Sequence, residues 1–177
     1  GVGIPEDELG LAVSRHATSK LARAEDLFHI ETLGFRGEAL ASIGSVSRMR
    51  VESRIPKEAI GAELAVDGGK LGELHQEGMP TGTRITVQDL FYNVPARLKF
   101  LKSDNTERRH IEALVTRYAL AYPNVRWQLK VDDRPSLLTS GNGDRREVLS
   151  SLYGVDVAKQ MLSLDFKEED YHIHGFI

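Results

Sequence analysis

Two glycines three residues apart, Gly34 and Gly37, flank Arg36 and lead directly into Glu38, Ala39, Leu40, Ala41, Ser42 and Ile43, a run of good helix formers. Residue types in this order suit the holding of a phosphate. Glycine reaches backbone angles closed to other residues and lets a ligand approach the main chain, while the first N–H groups of a helix have no partner within it. Those donors, together with the positive end of the helix dipole, favour an anion. Arg36 adds a mobile positive charge, and Ala39, Leu40 and Ile43 give the helix an apolar side that anchors it. A glycine turn in front of a core helix would use the same letters, so a bare G-x-x-G decides nothing by itself. Glu38, at the helix start, is expected to cap the helix or to pair with Arg36 rather than to act as a base.

Three further stretches accompany Gly-Phe-Arg-Gly-Glu-Ala-Leu at 34–40. They are Gly-Val-Gly-Ile at 1–4, Arg-His-Ala-Thr-Ser-Lys at 15–20, and Gly82-Thr83 leading into Asp-Leu-Phe-Tyr-Asn-Val-Pro-Ala-Arg-Leu-Lys-Phe-Leu at 89–101. Taken together and in this order, they resemble the MutL family of DNA mismatch-repair proteins, which shares the Bergerat nucleotide fold with gyrase B, heat-shock chaperones and histidine kinases. The resemblance implies an ATP site with magnesium. Gly1 and Gly3 would let the chain pass close to the adenine and sugar. Thr18, Ser19 and Lys20 would enter the ATP lid, and Gly34, Phe35, Arg36, Gly37, Glu38, Ala39 and Leu40 would hold the phosphates. Thr83 would support adenine recognition, although a β-branched residue opening a strand is its plain alternative. The family's catalytic Glu, its magnesium-binding Asn and its adenine-binding Asp all map before Gly1. The chain is therefore read as part of a longer protein, with no catalytic residue of its own and no expected ATP turnover in isolation. For the parent, the resemblance implies ATP-driven lid closure over residues 17–37. It also implies dimerisation of N-terminal regions, as a homodimer or a MutL-type heterodimer, into a clamp on mismatched DNA, working with a MutS-type recognition protein. The location would be the cytoplasm and nucleoid in a bacterium, or the nucleus in a eukaryote. A non-catalytic docking module on the same scaffold, or a gyrase- or chaperone-type ATPase, remains the alternative.

The elements that must position these residues follow from periodicity. Residues 5–16 read as a helix, with Pro5 at its start, acidic residues in the first turn and Leu9, Ala12 and Val13 at helical spacing. The pattern dissolves over residues 17–32 except for a Leu27–Ile30 cluster. Strands are expected at 46–53, 62–66, 71–76 and 83–90, with Asp67-Gly68-Gly69-Lys70 as a turn. A helix capped by Asn105 or Thr106 carries the stripe Ile111, Leu114, Val115, Tyr118 and Ala119 until Pro123 stops it. Beyond it come strands at 125–131 and 136–139, a helix through Val148, Leu149 and Leu152, and a final strand pair at 160–166 and 171–177. The fold class is α/β, an α+β two-layer sandwich. Residues 1–103 are read as the C-terminal part of a Bergerat ATPase domain with a mixed sheet. Residues 104–177 are read as the start of a transducer domain similar to ribosomal protein S5 domain 2.

Composition agrees with a globular chain: 177 residues, 41% hydrophobic and 28% charged. The absence of cysteine removes disulfides and thiolate metal sites. No apolar run is long enough for a membrane span, and no membrane partner is expected. A net charge of −3 offers no general attraction to nucleic acid, so DNA contact requires a local basic face. Arg97, Lys99, Lys102, Arg108 and Arg109 stand against only Asp104 and Glu107, and of these Arg97 and Lys99 are the candidate DNA contacts. His172 and His174 share one strand face but lack a third ligand nearby, so they read as surface residues. Tyr92, Tyr118 and Trp127 read as core or rim aromatics.

Overall fold

The computed structural model describes residues 1–17, 34, 36–169 and 171–177. Thr18, Ser19, Lys20 and Phe35, and the Leu27–Ile30 cluster, lie outside the described residues. The chain forms two compact units, Gly1–Leu101 and Lys102–Ile177.

In the first unit a four-stranded sheet packs against short helices. Its strands are β1 (Arg48–Arg54), β2 (Gly61–Asp67), β3 (Lys70–Glu77) and β4 (Gly82–Gln88), in the spatial order β3-β2-β1-β4. Every described pairing is antiparallel, so this sheet is antiparallel where the resemblance implied a mixed one. The short links between strands, such as the turn between Asp67 and Lys70, permit only antiparallel neighbours. The strand β4 returns to pair with β1 rather than extending the meander, aligning Met49 with Val87, Val51 with Ile85 and Ser53 with Thr83. Alternation puts Met49, Val51 and Ser53 on one face with Ala62, Leu64 and Val66 of β2. Against that face pack Leu9 and Val13, with Ile4, Leu40 and Ile43 at the margin. The other face carries ion pairs: Arg50 with Glu63 at 3.3 Å, and Arg84 with the buried Glu52 at 2.8 Å.

The expected helix over 5–16 is much shorter, a 3₁₀ turn at Glu6–Glu8 followed by α1 (Leu9–Ala12). Two features end it early. Gly10 weakens the helix interior, and the Ser14 hydroxyl donates to the Gly10 carbonyl at 2.8 Å, competing for the acceptor that a further turn would use. The run after Gly37 forms α2 (Ala39–Gly44), and Pro95 opens the short α3 (Pro95–Leu98).

The second unit holds α4 (Asp104–Ala121), the hairpin of β5 (Gln128–Val131) and β6 (Arg134–Leu138), α5 (Arg145–Tyr153), α6 (Val155–Gln160), and the hairpin of β7 (Ser163–Glu168) and β8 (Tyr171–Phe176). Its core joins Ala119, Leu137 and Val148, with Val115, Trp127, Leu129 and Leu152 packed around them. The N-cap of α4 is Ser103, not Asn105 or Thr106. The Ser103 hydroxyl bonds that of Thr106 at 3.0 Å, and Glu107 reaches back to accept from the Lys102 N–H at 2.8 Å. Only part of the expected α4 stripe is core, since Ala119 is buried while Ile111 and Leu114 stay about half exposed. The helix α6 was not anticipated, and Gln160 ends it instead of opening a strand. Tyr118 stacks on both Tyr122 and Trp127, confirming these aromatics as packing residues.

Candidate functional site

The four motifs meet as two pairs within the first unit, one pair through a residue that none of the motifs contains. The Ser53 side chain, 1% exposed, sits at the inward end of β1 opposite Thr83. Its hydroxyl oxygen accepts from the Ile4 N–H at 2.6 Å, donates to the Gly82 carbonyl at 3.1 Å, and lies 2.9 Å from the Thr83 hydroxyl. One serine thereby ties Gly-Val-Gly-Ile to Gly-Thr. Gly3 makes the join possible, because its φ is +83° and a Cβ there would lie 2.2 Å from the Arg54 carbonyl oxygen. No side chain fits between these two backbones. Gly1 has open space around it, and its carbonyl faces Gly82.

A second join lies at the glycine turn. Gly37 has φ +61°, and a Cβ on it would stand 2.1 Å from the Ala17 carbonyl oxygen. Beside it, His16 Nδ1 is 3.1 Å from the Glu38 carboxylate. The described ends of Arg-His-Ala and of Gly-Glu-Ala-Leu therefore lie against each other. Glu38 occupies the N-cap position of α2, yet its side chain makes no capping hydrogen bond and turns to His16 instead. The reason is positional, since His16 brings a donor within reach of that carboxylate. Ala39 and Leu40 form the first turn of α2, and Leu40 leans on the core of the sheet. Gly34 and Arg36 both make interactions, and Arg36 is exposed.

The Asp-Leu-Phe-Tyr-Asn-Val-Pro stretch acts as a clamp on the β2–β3 turn. Asp89 and Phe91 adopt positive φ, +52° and +65°, and the Phe91 N–H bonds the Val46 carbonyl at 2.6 Å. The Tyr92 hydroxyl donates to Asp67, and Arg48 bonds Asp89 at 2.7 Å while lying 4.8 Å over the Tyr92 ring. The Asn93 amide reaches the Ser45 carbonyl at 3.0 Å. The hydrogen bond to Asp67, then burial, raises the Tyr92 phenol above its ordinary pKa of 10.0. Asp89 likewise raises the Arg48 guanidinium above its usual value. Arg97 lies in α3 and Lys99 just past its end, both exposed. In the second unit the expected surface histidines have protein partners, His172 with Asp165 at 3.0 Å and His174 with Arg145 at 2.7 Å.

Sequence reasoning missed Ser53, Asp67 and Arg48. For Ser53 a signal existed: a small polar residue at a core-facing position of a strand, in line with Met49 and Val51. No such signal marked Asp67 or Arg48, which a turn and an exposed strand face accommodate equally well.

The chain is similar to known proteins. No family model matches the chain. It is 42% identical over all 177 residues to the DNA mismatch repair protein MutL of Lactococcus lactis subsp. lactis (strain IL1403), and 45% identical to that of Shouchella clausii (strain KSM-K16). The chain belongs to the MutL family of DNA mismatch-repair proteins. It spans 27% of the length of these curated MutL relatives. Among solved structures it is similar to the Aquifex aeolicus MutL ATPase domain complexed with ADP, at 33% identity and a TM-score of 0.67, over 82% of this chain and 56% of that one. The N-terminal domain of a DNA repair protein matches in fold, with a TM-score of 0.78 over 99% of this chain and 55% of that one, at 23% identity. The α/β class and the ATPase-domain architecture of the MutL family are thereby established for this chain.

Proposed function

We propose that the first unit supplies the adenine end and part of the phosphate end of an ATP site in a MutL-type mismatch-repair protein, with the second unit beginning its transducer domain. The junction of Gly3, Ser53 and Thr83 carries this reading, because it brings an exposed threonine and a close-passing glycine backbone to one place. The ADP bound to the Aquifex aeolicus relative supports it. In this reading Gly1, Gly3 and Thr83 face the base. Thr18, Ser19 and Lys20 lead into the lid, and Gly34, Phe35, Arg36, Gly37, Glu38, Ala39 and Leu40 face the phosphates. The juxtaposition of His16–Ala17 with Gly37–Glu38 would hold the two ends of the lid together at its base.

Magnesium finds no ligand set here, since among the described residues no three His, Asp or Glu side chains gather closely enough to hold a metal. No hydrolytic step is therefore assigned to them. Nucleotide binding by the full-length protein is the direct test: Thr83→Val should weaken ATP binding in equilibrium titration, and an unaltered affinity would remove the base end from the site.

At the level of the whole protein, ATP-favoured lid closure shifts the population toward a dimeric clamp on mismatched DNA, as a homodimer or a MutL-type heterodimer, acting with a MutS-type recognition protein. The clamp acts in the bacterial cytoplasm at the nucleoid, in keeping with the bacterial relatives. Among the described residues no helix is long and apolar enough to cross a membrane. Sedimentation with and without ATP reads the coupling, and a dimer fraction independent of nucleotide would break it.

A further inference from the structure

We infer that the Asn142–Gly143 step is a guarded deamidation site, held closed in the folded chain by hydrogen bonds and exposed to reaction when the start of α5 comes loose.

The chain has four asparagines, and Asn142 is the one followed by glycine. In that dipeptide the second residue has no Cβ to hinder its own backbone nitrogen from approaching the side chain of the first. The Gly143 nitrogen loses its proton and bonds to Cγ of Asn142. The Cγ–Nδ2 bond breaks, and Nδ2 takes up a proton and leaves as ammonia. Water then opens the cyclic imide, giving aspartate where the side-chain carbonyl is cut and isoaspartate where the main-chain carbonyl is cut. Water is the only co-reactant.

Asn142 is exposed, so water reaches it, but the atoms that must react are held. The Gly143 N–H donates to the carbonyl of the buried Pro123 at 3.1 Å. A backbone N–H engaged in this way is withheld from base, as it is from hydrogen exchange. The Asn142 carboxamide is pinned at both ends, with Oδ1 accepting from the Asp144 N–H at 2.9 Å and Nδ2 donating to the Glu147 carboxylate. A donor on one side and an acceptor on the other fix which way the amide points. Nδ2 is the atom that departs, so Glu147 must release it first. Gly143 is itself closely fitted, since its φ is +87° and a Cβ there would lie 2.5 Å from Asn124 Oδ1.

These ties meet at the start of α5, where Asp144 is the N-cap and Glu147 the acid of the first turn. Reaction therefore requires the loop and the helix start to open together. The change is also one-way. In the aspartate product a carboxylate replaces the amide donor opposite Glu147, and two like charges stand where a hydrogen bond stood.

The test incubates the full-length protein at neutral pH, folded in buffer and unfolded in guanidinium chloride. Peptide mapping by mass spectrometry follows the conversion of amide to acid in the fragment carrying residue 142, for the wild type, Glu147→Ala and Glu147→Gln. The folded wild type should react about tenfold or more slowly than the unfolded chain, the scale expected for hydrogen bonds that must open together. Glu147→Ala removes the group that holds Nδ2 and should speed the folded-state reaction by about fivefold, with the unfolded rate unaltered. Glu147→Gln keeps a carbonyl acceptor and should stay near the wild-type rate. Equal rates in the folded and unfolded wild type would overturn the inference. So would an alanine variant that reacts no faster than wild type, or a glutamine variant that reacts as fast as the alanine one. An unfolded chain in which residue 142 stays an amide would remove the reactive step itself. Should Glu147→Ala fail to fold, the folded-to-unfolded ratio of the wild type and the rate of Glu147→Gln still decide.

Discussion

Gly3 and Gly37 are the residues on which the chain has least latitude. Each has a positive φ, and each would drive a Cβ to within about van der Waals collision of a backbone carbonyl, at 2.2 Å from Arg54 and 2.1 Å from Ala17. Gly3→Ala should therefore destabilise the first unit by about 1–3 kcal/mol, the usual scale for a strained backbone held by its surroundings. Urea unfolding of the variant measures it, and a midpoint equal to wild type would show that the two backbones can part without loss. The buried hydroxyl of Ser53 carries a cost of similar size. Replacing it with alanine removes the acceptor that the Ile4 N–H uses, at about 1–3 kcal/mol for an unmet buried group.

Elements here are held as much by side-chain ties at their ends as by their own propensity. In the second unit, Asp144 caps α5 by accepting from the Arg146 and Glu147 N–H groups, at 2.8 Å and 3.3 Å. Asp144→Ala should cost about 1 kcal/mol, seen as a lower unfolding temperature, whereas Asp144→Asn should recover most of it. In the first unit, the turn after β4 holds two non-glycine residues at positive φ, and the tie from Tyr92 to Asp67 keeps it against the β2–β3 turn. Since the folded-state pKa of Tyr92 is raised above 10.0, its stabilising contribution is complete below that value and fades as pH climbs through the raised one. Ultraviolet titration should show one of the five tyrosines ionising later than the rest, and Tyr92→Phe should delete that late step. A curve that merely shrinks in proportion would contradict the tie.

For the whole molecule, the net charge of −3 forbids a general attraction to DNA and leaves the work to a local surface. Arg97 and Lys99 stand exposed at α3, where phosphate contact would be salt-dependent and indifferent to sequence. Lys99→Glu should weaken DNA binding by the full-length protein uniformly across sequences and reduce the slope of log affinity against log salt by about 1. An unchanged slope would remove Lys99 from the DNA surface. Nucleotide affinity measured on the same variant should stay at the wild-type value, because Lys99 has no place in the proposed ATP site.

The sequence by itself determined the family and most of the strands. Four motifs in order do not arise by chance in one chain, and alternation along β1, β2 and β4 is a local pattern that needs no partner to be seen. It placed the end of α1 and the cap of α4 wrongly and gave no helix at α6, because these depend on side chains such as Ser14 and Glu107 choosing among several backbone acceptors and donors within reach. Tertiary structure alone decided that β4 returns to β1, and with that choice Ser53 came to face Thr83 across 30 residues of sequence. Strand pairing is a long-range event paid for by the burial of the whole sheet face. No local feature of either residue could announce that their hydroxyls would share one proton network.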